Sequence, residues 1–232
     1  MPRRRCSVCG GEAFVTNPVL WAALINGWQL EPNEVDYINR QQGEYCASCG
    51  SNLRSIALAD SLRAAFRTTQ LLQPFCMSSE AEPFKVLEIN EAGALHGVLR
   101  TMPNHSFGAY PDIDMHALPF SSDFFDVVTH SDTLEHLPNP VHALTECRRV
   151  LRSGGILCFT VPIVVGRLSR SREGLAKSFH GNSADTPDDF AVHTEFGADA
   201  WTYVVRAGFR DLHLFTVEYP AAIAISATKS ND

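Results

Sequence analysis

No apolar run in the 232-residue chain is long enough to cross a bilayer, which excludes a helical membrane span. The longest mainly apolar stretches, "FFDVV" and "ILCFTVPIVVG", have the length of buried strands. Positive charge is also scarce: 19 Lys and Arg stand against 26 Asp and Glu, a formal net charge of −7. That balance excludes a whole-molecule electrostatic trap for nucleic acid or an anionic membrane. The one basic cluster is "PRRR" at residues 2–5, and over residues 1–60 five arginines meet six acids. No apolar segment follows this charged start before Cys6 and Cys9, so no secretory signal is expected, and a cytoplasmic protein is. What is present is ordinary for a soluble globular chain, with 45% hydrophobic and 19% charged residues. The length suits one sizeable domain and a small appended module.

Seven cysteines in a reducing compartment point to metal before disulfide. Four of them form two copies of C-x-x-C-G, "CSVCGG" (6–11) and "CASCGS" (46–51). Each such turn delivers two thiolates, and the following glycine permits the tight turn that aims amides at the sulfurs. Cys6, Cys9, Cys46 and Cys49 are therefore the expected ligands of one tetrahedral Zn2+, structural because four cysteines leave no open position. The alternative, a disulfide or redox pair, lacks the preceding β-strand of a thioredoxin-like motif. Cys76, Cys147 and Cys158 have no partner at ligand spacing and read as small buried hydrophobes.

The 36 residues between the knuckles exceed what a minimal zinc ribbon needs. "NPVLWAALINGW" and "NEVDYINRQQ" look helical, the second with Asn33 as N-cap. Trp21, Trp28 and Tyr37 are read as the core of this module in preference to stacking platforms for a ligand. "NLRSIALADSLRAAF" places Leu58, Leu62, Ala65 and Phe66 on one helical stripe. Two prolines and two serines then break the pattern in "LLQPFCMSSEAEPF", which sets the expected boundary near residue 78. The division is a zinc-binding module over 1–78 and a second domain over 79–232.

From residue 84 strands alternate with helices. "FKVLEI", "HSFGAY", "FFDVVTHS", "ILCFTVPI", "DLHLFTVEYP" and "AIAISATK" read as strands, and "AGALHGVLRTM", "NPVHALTECRRVL" and "GADAWTYVVRAGF" as helices. Asn139 is the N-cap of the middle helix, Pro140 opens it and "SGG" stops it. Such alternation predicts an α/β fold with a mostly parallel, Rossmann-like sheet and a ligand at the carboxyl ends of its strands. The glycine-rich loop expected after the first strand is degenerate: Asn90, Glu91, Ala92, Gly93 and Ala94 follow "VLEI".

Four stretches carry a resemblance, in order: "VLEI" (86–89), "DMHALPF" (114–120), "FFDVVTHSDTLEHLPNP" (124–140) and "ECRRVLRSGGILCFTVP" (146–162). Together they resemble the class I S-adenosylmethionine-dependent methyltransferases of the type 11-like group, here with an N-terminal four-cysteine zinc-ribbon-like module. The resemblance implies S-adenosylmethionine as cofactor. Glu88 would shape the pocket for its methionine moiety, with Asn90, Glu91 and Gly93 in the loop; Asp112 or Asp114 would contact ribose or adenine. Met115 would neighbour the ring, and His130 and Ser131 would lie beneath the methionine part. Only 21 positions separate Gly93 from Asp114, which leaves no room for the family's helix between the second and third strands; the sheet is expected to be trimmed there. Asn tolerates left-handed backbone angles, and this cofactor has no pyrophosphate, so binding is expected despite the missing glycines.

Methyl transfer from a sulfonium needs alignment of acceptor and methyl carbon, and a base only where the acceptor loses a proton. The candidate bases are His136, His180, His193 and Glu195. Arg167, Arg170 and Arg172 in "GRLSRSR" offer a site for an anionic acceptor. The leading expectation is methylation of a small molecule or glycan. An RNA acceptor recognised by the zinc module is the alternative, opposed by the acidic charge, and a non-catalytic methyltransferase-like scaffold is the third.

Overall fold

In the computed structural model, which describes residues 5–179 and 190–230, a short antiparallel pair joins the two cysteine knuckles. Strand β1 (Phe14–Thr16) pairs with β2 (Glu44–Cys46), setting Phe14 opposite Cys46. Between them lie helices α1 (Ala22–Trp28) and α2 (Pro32–Gly43). The N-cap of α2 is Glu31 and not Asn33. The Glu31 N–H donates to the Glu34 carboxylate at 2.9 Å, and Pro32 takes the first helical position. A residue with φ already fixed and no N–H to lose suits that position, so the helix starts earlier than expected.

Two helices follow, α3 (Leu53–Ala65) and α4 (Leu72–Cys76). Strand β3 (Val86–Ile89) then leads through a 3-10 turn at Gly93–Leu95 into α5 (His96–Leu99), a single turn where a longer helix was expected. Pro103 disfavours helical backbone at Met102 and so limits its extension. After β4 (His105–Gly108) the chain reaches β5 (Phe125–Ser131) without another helix or strand, as the short spacing implied. Helix α6 (Pro140–Val150) opens on Asn139, whose side chain accepts the His142 N–H at 3.1 Å. It runs into β6 (Leu151–Thr160), where "SGG" forms a bulge that shifts the register against β5. Strands β7 (Ile163–Val164), β8 (Arg170–Ser171) and β9 (Thr194–Gly197) make a small separate sheet, and α7 (Trp201–Arg206), β10 (Asp211–Val217) and β11 (Ala222–Thr228) complete the chain.

The main sheet has the order β10-β11-β6-β5-β3-β4. Its β4–β3, β3–β5 and β5–β6 pairs are parallel, and β11 runs antiparallel to both neighbours. Alternation along the strands gives each face its own core. Leu87, Ile89, Val128 and Phe159 pack with Ala143, Leu144 and Cys147 of α6 and Val204 of α7. Val86, Val127, Cys158 and Ala224 pack on the other face with Ile56, Leu58 and Leu62 of α3. That second core runs on without a break to Cys6, Cys46 and Tyr37.

Helix α3 is buried on more than its apolar stripe: Arg54, Ser55 and Ser61 are as hidden as Leu58 and Leu62. It lies on β6, β10 and β11 on one side and meets α2 and α4 on the other. The helix on the N-terminal side of the boundary expected near residue 78 is thus a layer of the sheet domain. Cys76, Cys147 and Cys158 are fully buried, and burial pushes Cys76 and Cys158 up to about 12.

Candidate functional site

The strand order reverses between β3 and β5, and such a switch point opens a crevice at the carboxyl ends of the strands. Asn90, the first residue after β3, has φ of 55°, the left-handed region that Asn enters more readily than other non-glycine residues. Its N–H donates to Gly108 O at 2.8 Å, its side-chain Oδ1 accepts the Tyr110 N–H at 3.0 Å, and its Nδ2 donates to Thr133 Oγ1 at 3.2 Å. One side chain thereby ties together the loops after β3, β4 and β5. Gly93, at φ 56°, supplies a second left-handed position in the same loop and is exposed.

Glu88 is fully buried. Its Oε1 accepts the Ala92 N–H at 2.8 Å, while Oε2 accepts from His96 Nδ1 at 3.0 Å and His105 Nε2 at 2.8 Å. Burial alone would raise this carboxyl; His105, the Ala92 amide and His96 outweigh it and hold the group below the usual carboxylate range. Glu88 shapes the loop from inside, with its oxygens taken up by these donors. His96 and His105 carry no motif in the sequence, and only the parallel pairing of β3 with β4 brings His105 alongside.

The other expected cofactor residues divide into rim and core. Glu91 and Asp112 are exposed, and Asp114 accepts the His116 N–H at 2.8 Å and faces His116 Nδ1 at 3.1 Å. Met115 is buried in the same apolar cluster as Ile89 and Leu118, so its side chain is a core group and not an open neighbour for an adenine ring. His130 is fully buried, stacked on Phe159 with ring centroids 5.0 Å apart, and neither ring nitrogen has a hydrogen-bond partner among the described residues. Burial pushes it down to about 3, so the imidazole is neutral. Ser131 Oγ, by contrast, is half-buried and meets Thr160 Oγ1 at 2.8 Å across the ends of β5 and β6.

Beyond Ser131 a charged cluster lies under the crevice. Asp132, at φ 49°, forms an ion pair with Arg54 from α3. Glu135 is buried beside them; burial and the neighbouring Asp132 charge raise it well above the usual carboxylate range. His136 lies 3.7 Å from the Glu135 carboxylate and meets Ala191 O at 3.3 Å, and burial lowers its basicity. The His193 N–H donates to the Glu135 carbonyl at 2.7 Å, with its ring exposed. The candidate bases His136 and His193 thus come to one place, and His180 lies outside the described residues.

Glu195 departs from the expectation of a free base. It is 5% exposed and accepts from Arg170 Nε at 2.6 Å and from Arg172 on its other oxygen. Arg167 is likewise held, by Glu34 and by the carbonyls of Trp28 and Gln29 at 2.7 and 2.6 Å. The three arginines expected to meet an anionic acceptor bind groups of the chain itself, because β8–β9 pairing and the approach of α2 place carboxylates opposite them. Trp28 and Tyr37 are buried as expected, whereas Trp21 is 42% exposed and helps to line a cavity of about 90 Å³ with Leu24, Trp28 and Val164.

The four knuckle sulfurs lie within 4.8 Å of one another, with Cys6–Cys49 and Cys9–Cys46 separations of 3.7 Å. A tetrahedral zinc with Zn–S bonds of about 2.3 Å requires sulfur separations of about 3.8 Å. The two turns share the same backbone bonds. Gly10 and Gly50 have φ of 84° and 75°, and their N–H groups donate to Cys6 O at 2.8 Å and Cys46 O at 2.9 Å. The donor set and its spacing fit such an ion.

Residues 98–159 match the family described as "Methyltransferase domain". A rice (Oryza sativa subsp. japonica) protein, chloroplastic 2-methyl-6-phytyl-1,4-hydroquinone methyltransferase 2, is 38% identical over 50 residues. Those residues span 22% of this chain and 14% of the rice protein. Among solved structures, an S-adenosylmethionine-dependent methyltransferase from Thermotoga maritima is 17% identical, with a TM-score of 0.40 over 74% of this chain and 94% of that one. A chain from the complex of the Haloferax volcanii Trm112 methyltransferase activator with a methyltransferase is 12% identical, with a TM-score of 0.41 over 76% and 97%. The matched residues run from α5 through β6, in an α/β fold whose central sheet is mostly parallel, as in a methyltransferase domain.

Proposed function

We propose that the protein transfers a methyl group from S-adenosylmethionine to a small-molecule or glycan acceptor, with Cys6, Cys9, Cys46 and Cys49 holding a structural zinc. The observation that carries this reading is the Asn90 junction at the β3/β5 switch point, followed in the chain by residues 98–159, which match the methyltransferase family. The cofactor supplies an electrophilic methyl on a sulfonium centre. Asn90 keeps the loop after β3 in the shape that glycine would otherwise give, and Gly93, Asp112, Asp114 and Ser131 offer accessible groups around the same crevice. Glu91, exposed in the loop, contributes negative charge toward the sulfonium.

His136 is the better placed candidate base. Burial favours its neutral form, and Ala191 O on one ring nitrogen orients the ring. A small acceptor agrees with the acidic net charge, and the name of the rice relative describes a small acceptor of its own. Two measurements test the reading. Calorimetry of the zinc-loaded chain with S-adenosylhomocysteine should show binding, and absence of heat at millimolar ligand would sink it. Labelled methyl from S-adenosylmethionine, offered with fractionated extract, should enter small molecules or glycans; label confined to RNA would replace the acceptor class.

A further inference from the structure

Two backbone donors of the loop after β3 are already committed. The Asn90 N–H is taken by Gly108 O and the Ala92 N–H by Glu88. A cofactor that ends in an amino acid brings a carboxylate and an ammonium to this crevice, and both need partners in a partly dry site. Helix α3 supplies the missing groups. It begins at Asn52, three positions after the last knuckle cysteine, and its first turn lies against the loop: a side chain at Gly93 would meet Ser55 Oγ at 3.4 Å.

Arg54 in that turn is 6% exposed and reaches the carboxyl end of β5, where one guanidinium nitrogen pairs with Asp132 Oδ2. Among the described residues the other terminal nitrogen, Nη1, has no hydrogen-bond partner, and neither has Asp132 Oδ1. A guanidinium keeps a directional donor for a carboxylate, and a carboxylate oxygen accepts from an ammonium. One unsatisfied donor and one unsatisfied acceptor on a paired Arg and Asp complement an α-amino-acid zwitterion. The positive end of α3, a 13-residue helix, adds to the attraction for the carboxylate.

We infer that Arg54 and Asp132 together bind the amino-acid end of the cofactor, Nη1 taking the carboxylate and Oδ1 the ammonium. The inference rests on the cofactor reading above and gives α3 an anchoring role beside the glycine-poor loop. It also makes the second cysteine knuckle a support for the crevice, since that knuckle leads directly into α3.

The experiment compares two ligands on the full, zinc-loaded chain by calorimetry: S-adenosylhomocysteine, which has the amino-acid end, and 5′-methylthioadenosine, which lacks it. The unsubstituted protein should bind the first far more tightly. Arg54→Met should weaken S-adenosylhomocysteine about 10- to 100-fold, the range for losing a charged hydrogen bond, and leave 5′-methylthioadenosine within about twofold. Because Arg54→Met leaves the half-buried Asp132 without its counter-ion, Arg54→Met/Asp132→Leu, which removes both charges, is the companion variant, with its fold checked by circular dichroism and thermal melting. A parallel loss for both ligands in a folded variant, or equal affinity for both in the unsubstituted chain, overturns the inference. Absence of binding by either ligand in the unsubstituted chain overturns the cofactor reading with it.

Discussion

Asn90 Nδ2 donates to Thr133 Oγ1 at 3.2 Å, while Oδ1 of the same side chain receives the Tyr110 N–H at 3.0 Å. A residue forced into left-handed backbone therefore also carries the contacts that hold three strand ends in register. The two duties are separable by substitution. Asn90→Gly keeps the backbone free to adopt φ of 55° and loses only the side-chain bonds, at about 1 kcal/mol each. Asn90→Ala loses the same bonds and adds a left-handed penalty of about 1–2 kcal/mol. Denaturant unfolding should rank native above Gly and Gly above Ala. Calorimetry with S-adenosylhomocysteine should show weaker binding for both variants. Equal stabilities for Gly and Ala would mean that the loop relaxes out of this conformation.

His130 predicts the pH dependence of stability near neutrality. Its folded-state value is about 3, against about 6.5 for an unperturbed histidine. Between those values the unfolded chain takes up a proton that the folded chain refuses, so stability falls as pH drops below about 6.5. At pH 5 the loss from this one group is about 2 kcal/mol. His130→Phe keeps a ring against Phe159 and removes two unpartnered buried nitrogens, so it should melt higher and lose less stability between pH 7 and 5. A variant with an unchanged pH profile would show that the imidazole is not neutral in the fold.

Glu88 acts at lower pH. Its folded value is depressed, so its contribution is complete above the unfolded value near 4.5 and disappears as pH falls through the folded one. Glu88→Gln is expected to be worse than its shape suggests. One carboxylate oxygen accepts from two histidines and the other from the Ala92 amide, and the NH2 of glutamine must face a donor on either side. A cost of about 1–3 kcal/mol is expected from the unsatisfied groups. Chemical unfolding at pH 7 measures it, and a cost near zero would show that a histidine switches tautomer and accepts from the amide NH2.

The parts of this arrangement that were legible in the sequence are those set by neighbours in the chain. Asn139 and Pro140 marked the start of α6 because caps act within a few residues, whereas the glycines expected to stop it lie within β6. The spacing of Gly93 and Asp114 foretold the trimmed edge at β4 for the same reason, and the C-x-x-C-G repeats foretold two matching turns. What stayed hidden depends on distant partners. Arg54 lies outside the stripe of Leu58, Leu62, Ala65 and Phe66 that marks one apolar face, whereas α3 is covered on both sides. The pairing of Glu195 with Arg170 and Arg172 follows from β8 folding onto β9, and that of Glu88 with His105 from β4 lying beside β3. Neither leaves a local pattern.

The knuckles provide the last prediction. If the four sulfurs hold zinc, the purified chain should contain one zinc per molecule by elemental analysis, and Cys49→Ser should lose it. The second knuckle passes directly into Asn52 and α3, and Cys6, Cys46, Leu53 and Ile56 share one core, so the effect should not stay local. Strong chelation should lower the melting temperature and loosen α3, seen as faster amide exchange over residues 53–65 than over β5. Binding of S-adenosylhomocysteine should weaken in step, because the guanidinium of Arg54 is positioned by that helix. Exchange confined to residues 5–51, with α3 still protected, would show that the sheet holds the helix unaided and that the metal serves only its own module.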